Sequence, residues 1–490
     1  MSIDVLLINP GSRKAVYQNL GDEFSAIEPP SLAAMFATYL RKKSCSVAIL
    51  DCPAEGINEW QAANKALEYD AKLYVMVVYG FQPSASTQNM SSAGEMAKYM
   101  KRLDEGYSHG QKCKIMMTGT HPAALPERTL REEAVDYVAT GEGPQAIYGL
   151  LTQGPQAPGI ARLISGVPMR NPDAGLLDDL DAEMPGAAWD LLPMEKYRAH
   201  NWHCFDHIDQ RSPYVSIHTS LGCPYKCTFC CINAPFGKPS YRMWSPETVG
   251  REIEYLVDRH GVKNIKFVDE MFVLNRAHVL GVCNELIKRQ LGEAINIWAY
   301  ARVDTVKPEF LEPLRRAGFR WLALGIESAS KHVRDGVEKG RFGSEEIIKT
   351  VRQIQSAGIN VIGNYIFGLP DDTHDTMRET LDLALEANCE FANFYSAMAY
   401  PGSKLYTLAL EKGWKLPDSW IGYSQHSYET EPLPTETLTG AEVLAFRDDA
   451  FQRYFRSESY LRMVQAKFGP QVVKHVLRMV QQELPRKILA

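Results

Sequence analysis

Short apolar runs bounded by turn residues alternate with helical periodicity along most of the chain. Asp4-Val5-Leu6-Leu7-Ile8-Asn9-Pro10 is one such run, stopped by Pro-Gly as a buried parallel strand would be. Ser46–Asp51, Ala71–Tyr79, Lys114–Met117 and Val135–Val138 repeat the pattern, and Leu32, Met35, Phe36 and Leu40 share one helical face over Pro30–Lys42. Five strands alternating with helices predict a doubly wound sheet over residues 1–150, with ligands beyond the carboxyl ends of its strands. Residues 151–205 break the rhythm: Gly154-Pro155, Ala157-Pro158-Gly159 and Asp178–Asp181 read as a linker with little core of its own. Over 206–400 the alternation resumes, with strands at Tyr214–His218, Asn264–Val268, Ile295–Tyr300, Trp321–Ile326, Val361–Phe367 and Glu390–Ser396. Residues 401–490 gather aromatics (Trp414, Trp420, Tyr423, Tyr454, Phe455) and turn helical from Gly440. That extension either shapes a substrate pocket over the second unit or simply packs on it.

The candidate chemistry concentrates in one loop, Gly222–Cys230, directly after the strand at Tyr214–His218. Cys223, Cys227 and Cys230 are spaced C-x3-C-x2-C. Three thiolates on one tight loop hold three irons of a [4Fe–4S] cluster and leave the fourth iron open to a chelating ligand. The alternatives are a zinc knuckle, which wants four ligands in paired C-x2-C units, and unrelated buried thiols. Cys231 is a surplus thiol, and His203, Cys204 and His207 read as loop packing rather than a metal site. A net charge of -6 argues against a general nucleic-acid binder. No run of 18 apolar residues predicts a membrane span. Ten cysteines without an export signal fit a reducing, cytoplasmic setting.

With the segments around it, this spacing resembles the radical S-adenosylmethionine (SAM) enzymes, whose hallmark is the C-x3-C-x2-C loop. The first unit resembles the cobalamin-binding domain of one branch of that superfamily. Its loops there read G-x-H-(P/x) after the fourth strand and G-E-G-(E/P) after the fifth, here Gly119-Thr120-His121-Pro122 and Gly141-Glu142-Gly143-Pro144. The resemblance implies an α/β chain with a doubly wound, Rossmann-like cobalamin-binding domain, a partial (β/α)6 barrel and a helical C-terminal extension. It implies three cofactors: a [4Fe–4S] cluster on Cys223, Cys227 and Cys230, SAM, and cobalamin. For SAM it points to Phe229 in the cysteine loop, Asp269 and Glu270 after the second barrel strand, Arg302 after the third, Glu327 and Ser328 after the fourth, and Gly368 after the fifth. The family often has G-G-E where Val268-Asp269-Glu270 stands, so Glu270 is the better candidate for the methionine amine. For cobalamin it points to Ser84, Thr118, Gly119, Thr120, His121, Gly141, Glu142 and Gly143 around the corrin and its nucleotide tail. The D-x-H-x-x-G motif that supplies a lower axial histidine elsewhere is missing, and residues 9–30 hold no histidine. His121 is therefore expected to pack or to act from the second sphere, with no protein histidine below the cobalt. Read singly, these residues are also ordinary salt bridges, a helix cap at Ser328 and Gly-rich turns.

The activity the resemblance implies first is C-methylation of an unactivated carbon of a small molecule, by way of a 5′-deoxyadenosyl radical and methylcobalamin. A second is the oxidative ring closure of the anaerobic magnesium-protoporphyrin monomethyl ester cyclases, which share both domains. A third is a non-catalytic cobalamin or cluster sensor. An enzyme of this kind needs a one-electron donor such as flavodoxin or ferredoxin.

Overall fold

The computed structural model describes residues 2–80, 83–106, 113–340 and 342–490, and for residues 83–85 the backbone alone. Two parallel sheets carry the molecule. The first contains β1 (Ile3–Asn9), β2 (Val47–Asp51), β3 (Ala71–Val77), β4 (Ile115–Thr118), β5 (Tyr137–Ala139), β6 (Ile160–Ile164) and β7 (Val167–Arg170), in the order β2-β1-β3-β4-β5-β6-β7. Strands β1 to β5 run parallel, and their side chains alternate between two cores as the strand period of two requires. Leu6 and Ile8 face one core with Met90, Met96 and Met100 of the helix Pro83–Gly106, while Val5 and Leu7 face the other with Met35, Phe36 and Leu40.

The stretch read as a linker with little core of its own adds strands to the first sheet and buried side chains to the core. Strand β6 pairs antiparallel with β5, and β7 with β6 through a two-residue turn at Ser165-Gly166, where φ is 50° and 80°. Those positive angles give the turn a twist that matches the flanking strands. Beyond it, Leu180, Met184, Trp189 and Tyr197 are buried in a core that runs on into the second sheet.

That second sheet holds β8 (Tyr214–Ile217), β11 (Asn264–Phe267), β12 (Asn296–Arg302), β13 (Phe319–Glu327), β14 (Asn360–Phe367) and β15 (Phe391–Ser396). All are parallel and in sequential order, six strands of an incomplete barrel with helices between them. Two short strands, β9 (Ser220–Leu221) and β10 (Arg242–Met243), pair antiparallel at the barrel's mouth.

Three helices (Gly440–Arg456, Glu458–Phe468 and Pro470–Val480) cover the β15 edge. They are fastened to it by buried hydrogen bonds: Arg447 Nε to Phe394 O at 2.8 Å, Tyr454 Oη to Cys389 O at 2.6 Å and Tyr460 Oη to Glu390 O at 3.1 Å. The segment before them crosses back to the first unit. There Gln18 Nε2 donates to His426 O at 2.7 Å, and Ser424 Oγ to Val16 O at 3.1 Å. Trp420 meets the edge of His121 at 4.4 Å, with the Arg128 guanidinium 4.2 Å above its ring. No helix among the described residues is long and apolar enough to cross a membrane.

Candidate active site

The cysteine loop leaves the barrel through Gly222, whose φ of 84° and whose contact with Ser240 O (2.6 Å from an added Cβ) admit no side chain. Asn233 pins the loop from inside. Its Oδ1 accepts from Cys223 N at 3.3 Å, and its Nδ2 donates to Cys223 O at 3.0 Å and Tyr225 O at 3.4 Å. Cys223, Cys227 and Cys230 line one cavity of about 240 Å³ at the strand carboxyl ends. Burial pushes the Cys223 thiol up to about 11 and Cys230 well above its ordinary range. Thiols so placed become thiolates readily only against a bound metal. Among the described residues no group of three or more His, Cys, Asp or Glu could hold a single metal ion. The buried Cys204 and His203 likewise form no metal group, and His203 Nε2 lies 3.0 Å from Asn296 O.

The polar residues of the barrel mouth divide in two. Phe229, Glu270, Arg302 and Glu327 line the same cavity as the cysteines. Arg302 grips Asp304 through Nε at 2.9 Å and Nη2 at 3.0 Å, lies 3.9 Å over the Tyr225 ring and reaches Cys227 Sγ at 3.6 Å. Glu327 sits at a bulge of β13 with φ of 66°, an unfavourable backbone for a side-chain-bearing residue, and pairs there with the buried ammonium of Lys339. Burial, against the pull of Lys266, pushes the Glu270 carboxyl up to about 8.

Asp269, Ser328 and Gly368 are turned elsewhere. The Asp269 carboxylate is taken up by Thr219 N, Thr219 Oγ1 and Ser220 Oγ, each at 2.6 Å, and so anchors the base of the cysteine loop. Ser328 Oγ lies 3.2 Å from Thr380 Oγ1. Gly368 has φ of 79° and sits under Val443, and its neighbour Leu369 is the one that lines the cavity. Lys339, which no sequence motif marks, joins the set because a loop after the helix Lys331–Gly336 returns to the mouth.

At the first sheet the strand ends form a close-fitting cradle. A Cβ on Gly119 (φ 149°) would fall 2.0 Å from Val78 O, and one on Gly143 (φ 115°) 2.6 Å from Thr118 Oγ1. Gly141 is open by comparison, and Thr120 is buried. Thr118 Oγ1, Thr140 Oγ1 and His121 Nε2 are buried there without a hydrogen-bond partner. Burial, and then Arg128, push the His121 imidazole down to about 3, while its Nδ1 lies 3.2 Å from Thr87 Oγ1. Glu142 is engaged within the protein: it pairs with Arg242 of β10 and accepts from Leu177 N at 2.7 Å. The side chain of Ser84 lies outside the described residues.

A second cavity of about 230 Å³ lies inside the barrel, walled on one side by the first unit's Asn9, Arg13 and Tyr17. It meets the cysteine cavity at Tyr300, Tyr395 and Gln425, which line both.

The family description "B12 binding domain" matches residues 19–151, and "Radical SAM superfamily" matches residues 217–384, together more than half of the chain. The chain is a radical SAM enzyme with a B12-binding domain. It is similar to an uncharacterised methyltransferase of Pyrococcus horikoshii, 29% identical over 86% of this chain and 86% of that one. It is also similar to the anaerobic magnesium-protoporphyrin IX monomethyl ester cyclase of Rubrivivax gelatinosus, 26% identical over 94% of this chain and 78% of that one. Among solved structures, the cobalamin-dependent SAM radical enzyme OxsB with aqua-cobalamin and SAM bound shares the fold, with a TM-score of 0.70, 16% identity and coverage of 97% of this chain and 71% of that one. A radical SAM enzyme of this type takes a [4Fe–4S] cluster and SAM, and its B12-binding domain takes cobalamin. The residues fit all three. The buried thiols suit the cluster, the charged mouth suits the zwitterionic end of SAM, and the orphaned polar atoms above β4 and β5 suit an amide-rimmed corrin.

Proposed function

We propose that this radical SAM enzyme is a cobalamin-dependent methyltransferase acting on an unactivated carbon of a small molecule. The observation that carries the reading is the meeting of the two cavities at Tyr300, Tyr395 and Gln425. One cavity is lined by the cysteine loop and the other by the first domain's Asn9–Tyr17 segment, so a substrate held at the neck lies between the two domains. When bound, the cluster and SAM supply a carbon-centred radical that removes hydrogen, and cobalamin supplies the methyl group.

The chain's own part is binding and exclusion. Glu270 and Glu327 offer carboxylates to the methionine ammonium, and Lys339 and Arg302 offer cations to its carboxylate. Phe229, Leu369 and Met398 keep water from the reacting carbon. Thr118, Gly119, Thr120, His121, Gly141 and Gly143 would lie around the corrin, with Gly119 and Gly143 letting these loops close on Val78 and Thr118. A one-electron donor, flavodoxin or ferredoxin, completes the set.

The similarity to the cyclase favours a second reading, oxidative ring closure.

The test is an anaerobic reaction of reconstituted protein with SAM, dithionite, cobalamin and extract of the source cell. 5′-Deoxyadenosine and S-adenosylhomocysteine rising together are the expected result. Deoxyadenosine alone moves the assignment to ring closure or another non-methylating radical reaction, and neither product moves it to a sensor.

A further inference from the structure

The neck between the two cavities is a ring of phenols. Tyr300 on β12 and Tyr395 on β15 line both cavities, and Tyr17 of the first domain reaches the second. Burial and then Tyr395, Glu270, Glu28 and Tyr17 hold the Tyr300 phenol protonated far above neutral pH, and burial and Glu28 hold Tyr17 up to about 12. None of the three hydroxyls makes a hydrogen bond among the described residues. They differ in this from Tyr454 and Tyr460, whose hydroxyls are spent on main-chain carbonyls. They differ also from Tyr214 and Tyr365, whose hydroxyls are sealed in the core.

The charge around the ring is uneven. Lys266 and Glu28 neutralise one another at 3.0 Å. Arg13 makes no ion pair among the described residues: its guanidinium donates to Gly21 O and, at 3.3 Å, to Ser25 Oγ, and its Nε has no partner. Phenol hydroxyls that spend no bond within the protein can each donate to a ligand, and they donate most strongly to an ionised acceptor. One uncompensated guanidinium beside neutral phenols matches a single negative charge better than a dianionic phosphate.

We propose that Tyr17, Tyr300 and Tyr395 bind the carboxylate of the substrate, a small acid with a flat apolar body, and thereby set how it lies between the two domains. The body lies against Trp298 and Phe394, which wall the same cavity. This proposal rests on the reading of the neck as the reaction site, and it is tested without reading the reaction.

The full-length protein, reconstituted with its cluster, is titrated with phenylacetate and with phenylacetamide, its neutral counterpart, by ligand-observed NMR. Phenylacetate is expected to bind at least about tenfold more tightly than the amide, since a site built to bond a group rejects the analogue without it. Tyr300→Phe and Tyr395→Phe each remove one hydroxyl and leave the packing; each is expected to weaken phenylacetate about tenfold and leave the amide within about twofold. Loading of hydroxocobalamin by the two variants is expected to stay at the wild-type level. Equal binding of acid and amide by the wild type, or binding of neither, overturns the proposal, as does undiminished binding of the acid by both variants. Reduced cobalamin loading with the acid preference intact also overturns it, and assigns the phenols to the corrin amides instead. Formation of both SAM products by a protein with no acid preference refutes the phenol site and leaves the methyltransferase reading standing.

Discussion

Replacing Glu142 by Gln tests the joint between the two domains. The carboxylate accepts from Arg242 through Nη1 at 3.1 Å and through Nη2, and from Leu177 N at 2.7 Å. The side chains of Glu142 and Arg242 are 6% and 14% exposed, so water replaces little of what is lost. Removing one partner of a buried pair costs about 3–5 kcal/mol. The remaining amide oxygen of Gln restores one bond to the guanidinium, about 1.5 kcal/mol, which leaves a loss of about 1.5–3.5 kcal/mol. With an m value of about 2 kcal/mol/M, the urea midpoint of the first domain falls by about 0.8–1.8 M. Arg242→Met is expected to cost at least as much, because it strands the carboxylate. The double variant, which buries no charge there, should return to within about 1 kcal/mol of the wild type. Equilibrium unfolding under anaerobic conditions, followed by tryptophan fluorescence, measures all four proteins. A Glu142→Gln midpoint within about 0.3 M of the wild type, or a double variant that merely sums the singles, would refute the argument.

Three further outcomes follow from the same geometry. Asn233→Ala removes the hook inside the cysteine loop and should lower the iron retained after desalting, with a stability loss of about 1–3 kcal/mol. Gly368→Ala puts a Cβ 2.6 Å from Val443 at a φ of 79°, so a fall in thermal midpoint is expected, with the Val443→Ala background giving part of it back. Burial raises the Asp51 carboxyl to about 6, so its charge costs stability above pH 6 and that cost disappears as the pH falls towards 4. From pH 7.5 to 5.5 the wild type should therefore gain about 1 kcal/mol relative to Asp51→Asn in urea unfolding.

Most of the fold could be read along the chain because buried parallel strands are continuous apolar runs, and those runs fall where β1 to β5 and β11 to β15 stand. The β6–β7 hairpin was hidden by Gly and Pro on both sides, although Ile160–Ile164 and the Ser165-Gly166 pair carry a hairpin signal. The cysteine spacing is local and therefore legible. The direction of a carboxylate is not: Asp269 and Glu270 are neighbours, yet one is turned to Thr219 and Ser220 and the other to the cavity. Glu142 stands in the loop expected for it and is bonded to Arg242, a hundred residues on, which no local pattern announces. Lys339, Tyr17, Tyr300 and Tyr395 reach the site only because distant loops and strands converge there.

The crossing of residues 420–430 over the first domain has a consequence in time. Gln18 is bonded to His426 and Pro485, residues 408 and 467 positions further along the chain. At roughly 5–20 residues per second of synthesis, the last of these contacts forms about 20–90 s after Gln18 is made. By then the first sheet and all six barrel strands have already emerged. The tie between the C-terminal segment and the first domain is thus the last part of the molecule to be assembled.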